Sequence, residues 1–285
     1  MKNYFKIIGL LFLSLLLSCA SCSKDDSSSQ ATPDNGDNNS NFTVVSSSDT
    51  NFPGFTKKVV VFGIPIYAVT AVDNNRLLHA ANIMAQYLDN NEDGTIDNQL
   101  VLDKMIENNA YMVMWKNEND LNINPPNNAL GQDLGNDETI PVWHTNGHTG
   151  QFDAALEEVW HIITHAGYSK AYPSIFGEQQ GSSLSNAMDT ARGGQFNNIP
   201  NTYPEGAWYT YDDTTCTYAC QATEYFYWAM TSILGAQNNR LNEIQQEWKL
   251  NTSALVQSTD ATIYNLLTDT QYKFPTVLPD GTYRQ

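Results

Sequence analysis

Apolar residues fall into a clear order along the chain. A run from Ile7 to Leu17 follows Lys2 and Lys6, and after it residues 23–50 are mostly Ser, Asp, Asn and Gln with few apolar residues. The first is a basic stretch with an apolar core too short to span a bilayer stably; the second has too little to bury and is expected to remain a disordered tether. Beyond it, Lys57 to Val72 is rich in Val, Ile, Phe and Tyr and broken by Gly63 and Pro65, which predicts two short strands in a hairpin. Leu77, Leu78, Ala81, Met84, Ala85 and Leu88 recur at helical spacing and predict a helix over 74–88. A second helix is expected over 99–107, then a strand over 110–115, a long loop over 117–137 and a short extended piece over 139–143. Further helices are expected over 153–166, with Gly167 as its C-cap, and over 184–191, 220–234 and 240–248; from Pro275 the chain reads as loop. The class is α+β: a small mixed sheet packed on helices.

Composition narrows the possibilities. The formal net charge is −17, and losing Lys2 and Lys6 with a leader makes the remainder more acidic, which excludes nucleic acid and favours cations. Residues 1–21 read as a signal peptide, 22–51 as tether and 52–285 as one domain. Ser18-Cys19-Ala20-Ser21-Cys22 resembles a lipobox, and Ser23-Lys24-Asp25-Asp26 resembles an acidic export tag. Cys22 is favoured over Cys19 as the lipidated residue, because cleavage there leaves Cys216 and Cys220 as an even pair. The expected location is the outer membrane, facing outward, with membrane contact only through the lipid. In that oxidising setting Cys216 and Cys220 are expected to form a local disulfide, with a metal pair as the alternative.

Between the first two helices, Asp89-Asn90-Asn91-Glu92-Asp93-Gly94-Thr95-Ile96-Asp97 fits the first nine positions of a calcium loop. Asp89, Asn91, Asp93, Thr95 and Asp97 supply the donors and Gly94 the turn. Leu100 stands where a bidentate acid belongs, with Asp103 three residues on. Calcium is expected there, held weakly and in a structural role.

The chain has five histidines, and four of them, His144, His148, His161 and His165, fall within residues 144–165. Glu158, His161 and His165 share one helical face, and two imidazoles four apart can point at one ion. The stretch Leu156-Glu157-Glu158-Val159-Trp160-His161 resembles the zincin metallopeptidases, whose helix reads H-E-x-x-H. Glu157 stands at the position of the first histidine. Either Glu157 ligates, or His165 replaces the missing imidazole; His165 is preferred because imidazole is the commoner zinc ligand. Ala222-Thr223-Glu224-Tyr225-Phe226-Tyr227 resembles the glutamate-bearing helix of glutamate-type zincins, the lethal-factor-like toxins in particular. The resemblance implies a zincin-like fold with zinc on His161, His165 and Glu224. It also implies Glu158 as the base that deprotonates the attacking water, with Tyr209, Tyr211 or Tyr225 stabilising the oxyanion and a peptide or protein as substrate. Two other readings are a non-catalytic binder presenting Trp208-Tyr209-Thr210-Tyr211 to a glycan or protein, and metal capture for uptake.

Overall fold

The computed structural model describes residues 41–285. The leader, Cys22 and the first part of the tether lie outside the described residues. Five strands form one sheet in sequence order: β1 (Val45–Ser46), β2 (Lys57–Val61), β3 (Ile64–Ala68), β4 (Tyr111–Trp115) and β5 (Gly131–Gly135). The first three are antiparallel, while β3–β4 and β4–β5 are parallel, so the sheet is mixed. The hairpin is the expected one. Pro65 is tolerated because β4 pairs only with Ile66–Ala68, so no ladder bond needs its missing N–H. Val59 and Val61 are buried and Val60 between them is exposed, the alternation of a half-covered strand. In β4, Tyr111 to Met114 are all buried, as befits a central strand covered on both faces.

Helices α1 (Asn74–Leu88) and α2 (Gln99–Glu107) stand where the periodicity puts them. α3 (Ala155–Ile162) packs against α1 and β5. α4 (Ser183–Ala191) and α5 (Tyr218–Ile233) follow. Two short helices, α6 (Ser253–Thr259) and α7 (Ala261–Leu267), were not signalled by periodicity. They are set by the side-chain caps Thr252 and Asp260. One aromatic core, with Trp160, Tyr168, Phe176, Phe226 and Phe274 in mutual contact, joins α3 to α5 and the C-terminal segment.

Five expectations are corrected. Residues 41–51, assigned to the tether, are part of the fold: Val45–Ser46 pairs with β2, Phe42 and Val44 pack on the core, and the Tyr67 hydroxyl donates to Asp49. The loop over 117–137 contains the edge strand β5, while residues 141–143 of the expected extended piece belong to a 3-10 turn (Pro141–His144). Gly-Gln-Asp-Leu-Gly has no β-branched residue. Its first glycine is required by packing, since a Cβ at Gly131 would lie 2.1 Å from Cζ of Tyr111. The helix over 153–166 does not stop at Gly167; it runs on through a π-helical turn (Ile163–Tyr168) to Ala171. Gly167 is there for close approach to α2, because a Cβ would meet Val101 Cγ1 at 2.6 Å. Finally, only Leu241–Ile244 of the helix expected over 240–248 is helical.

Candidate functional site

α3 buries Leu156, Val159, Trp160, Ile162 and Ile163, which fixes its rotation and turns Glu157, Glu158 and His161 toward β5 and α5. One donor atom from each of these three lies within 4.8 Å of the others. His161 is 5% exposed, with Nδ1 3.4 Å from Glu158 Oε2 and Nε2 3.5 Å from Glu224 Oε2. Nε2 has no hydrogen-bond partner. The Gln132 amide of β5 donates to Glu158, and the Tyr227 hydroxyl, which accepts from Gln237, lies near Glu157.

Burial pushes the Glu157 carboxyl up to about 8, reinforced by Glu224 and Glu158, and pushes Glu158 up to about 7 against the opposing pull of His161. Burial disfavours the His161 imidazolium, but Glu224 and Glu158 outweigh it and hold its pKa well above the ordinary value. Glu247 is raised to about 7 by burial, then by Glu224 and Asp212. Partly buried carboxylates gathered around one buried imidazole form a candidate cation site.

The structure brings Glu158, His161 and Glu224 together. His165 it places elsewhere: its Nδ1 is 2.8 Å from both oxygens of Glu178, which also accepts from the Thr223 hydroxyl at 3.0 Å. Among the described residues His165 is outside the Glu157–Glu158–His161 cluster, where Glu157 occupies the position that sequence reasoning preferred to give to His165. Of the three tyrosines, Tyr209 donates to the Gln221 carbonyl and Tyr225 to Asp260. Tyr211 is half-buried, and after burial itself Glu224 is the main influence raising its hydroxyl pKa. The Trp208–Tyr211 segment is no open platform, because Tyr209 is fully buried and Trp208 is tied to Asp260.

Cys216 and Cys220 form a disulfide, 5.4 Å between Cα atoms, astride the start of α5. The nine-residue loop is held by Asx turns. Asp89 is fully buried and accepts from the Asp93 and Gly94 amides, Asp93 from the Thr95 amide and Asp97 from the Asn90 amide. Asn91 accepts from the Asp93 amide. Asp103 turns to Gln99 instead of the loop, and the Tyr283 hydroxyl reaches Asp89 from the C-terminal segment. His148 stacks on Trp143, while His144 joins His79 at Asp153, a residue that carried no signal in the sequence.

No family model matches the chain, and neither a curated protein nor a solved structure matches it.

Proposed function

We propose that this chain is a metal-dependent peptide hydrolase, with Glu157, His161 and Glu224 as ligands of zinc and Glu158 as the base. The observation that carries the reading is the buried Nε2 of His161, which faces Glu224 with no hydrogen-bond partner on the helix Glu157-Glu158-x-x-His161. The residues fit the ion. A buried imidazole nitrogen without a hydrogen-bond partner and adjacent carboxylates are zinc donors. The set is richer in carboxylate than the zincin pattern.

When bound, zinc supplies Lewis-acid polarisation of the scissile carbonyl. Glu158, oriented by Gln132, takes the proton from the attacking water and returns it to the leaving amine as the C–N bond breaks. The Tyr211 hydroxyl is the donor for the developing oxyanion, since Tyr209 and Tyr225 are committed elsewhere. The outer edge of β5 pairs with no further strand among the described residues and leads through Gln132 to Glu158, which suits an extended peptide added as a strand. A structural calcium in the Asp89–Asp97 loop and anchoring at the outer membrane through Cys22 belong to the same reading.

The test is zinc content measured beside a broad peptide-library digest of the full chain. Glu158→Gln should keep the wild-type zinc content and lose all cleavage, whereas His161→Ala should lose one equivalent. If Glu158→Gln loses zinc as His161→Ala does, Glu158 is a ligand and the base is misassigned. A zinc-loaded wild type that cleaves nothing would make this a non-catalytic surface binder.

A further inference from the structure

A second cluster of metal-ligating side chains, distinct from the first, lies at the start of α3. His79 from α1, His144 from the 3-10 turn and Asp153 before α3 bring one donor atom each to within 4.8 Å of one another. The two imidazole Nε2 atoms stand 2.7 and 2.8 Å from the same oxygen, Asp153 Oδ2. All three side chains are buried, at 6%, 3% and 0% exposure. We propose that His79, His144 and Asp153 form a second site, for zinc or another first-row divalent ion, that clamps α1 and the 3-10 turn to the head of the helix bearing Glu157, Glu158 and His161.

Two observations support it. The donors come from three separate elements, so the fold itself creates the convergence. The other oxygen of Asp153 is fixed by the backbone N–H groups of Ile140 at 2.8 Å and Ala155 at 3.3 Å, which leaves Oδ2 aimed at the two rings. Anchoring of that kind is what orients a metal-ligating carboxylate. Two imidazoles and a carboxylate make a donor set for zinc and its neighbours rather than for calcium or magnesium. The adjustment on loading is small. Tetrahedral ligands about 2.0–2.1 Å from zinc lie roughly 3.3 Å apart, so each ring recedes about half an ångström from Oδ2. Each ring then takes the Nδ1–H tautomer and ligates through Nε2.

The test uses the untagged full chain, loaded with zinc and freed of excess ion, with metal counted per chain. The wild type should hold two equivalents, the double variant His161→Ala/Glu224→Ala one, and His144→Gln one. In the double variant the second cluster is unaltered, so X-ray absorption should count two imidazoles on the remaining ion even if His144→Gln fails to fold. A double variant holding no zinc, or zinc with no imidazole, overturns the proposal and leaves the hydrolase reading untouched. A wild type holding a single ion that the double variant retains, with two imidazoles, upholds the second site and removes the first.

Discussion

Raising the pH should loosen the ion-free protein through Glu157, Glu158 and His161. Burial and like charge hold Glu157 near 8 and Glu158 near 7, against an ordinary value of 4.5. The folded chain therefore keeps protons that the unfolded chain has already released. Where the native state binds more protons, stability falls as pH rises, here across the window from 4.5 to about 8. His161 acts in the same direction: its raised pKa gives stability that is whole below 6.5 and lost as pH passes the folded value. One pKa unit corresponds to about 1.4 kcal/mol, so Glu157 taken alone amounts to about 5 kcal/mol. The three groups titrate together, so about 5 kcal/mol stands for the set as a whole rather than being summed over sites. At roughly 2–4 °C per kcal/mol for a domain of this size, the melting temperature in chelator should fall by about 10–20 °C between pH 5 and pH 9. Zinc competes with those same protons, so the stabilisation it confers should grow over the same interval. The assay is scanning calorimetry of the wild type and Glu157→Gln, each in chelator and in zinc. A chelated wild type with a flat or rising melting temperature from pH 5 to 8 refutes the reasoning. So does a Glu157→Gln protein that keeps the full slope.

Three smaller expectations accompany this one. Gly167→Ala should cost about 1–2 kcal/mol despite its better helix propensity, because the new methyl meets Val101 at 2.6 Å; denaturant unfolding at an unchanged m-value checks it. Asp93→Asn keeps an acceptor for the Thr95 amide, so it should leave the melting temperature in chelator unaltered while reducing the rise produced by calcium; equal rises in both proteins would remove calcium from the loop. Mass spectrometry of the mature N-terminus should find acylated Cys22, and lipid on Cys19 or none at all would contradict the export reading.

Local pattern made much of this legible. The hairpin and α1 and α2 could be read because each carries its own periodicity and turn residues. β5 could not, because it exists through the partner β4 and through a glycine that the Tyr111 ring packs against. Gly167 misled for a similar reason: a glycine in a helix reads as a stop, whereas here its lack of a side chain admits α2. Helical spacing placed Glu158 and His161 on one face and the second helix supplied Glu224, which the structure sets 3.5 Å from His161. Spacing also put His165 on that face, but it says nothing of what stands opposite. Glu178, thirteen residues on, bonds His165 and draws it away from the pair. Asp153 illustrates the same limit, for apart from the local bond from the Ala155 amide its partners Ile140, His79 and His144 are brought to it by the fold.

The most direct measurement is the zinc affinity of the Glu157→Ala, His165→Ala and His161→Ala proteins, each titrated against a competing chelator and compared with the wild type. If Glu157 completes the ligand set with His161 and Glu224, Glu157→Ala and His161→Ala should each weaken one zinc site by at least a hundredfold, while His165→Ala should change it by less than tenfold. A His165→Ala protein that loses that zinc while Glu157→Ala retains it would contradict the arrangement proposed here.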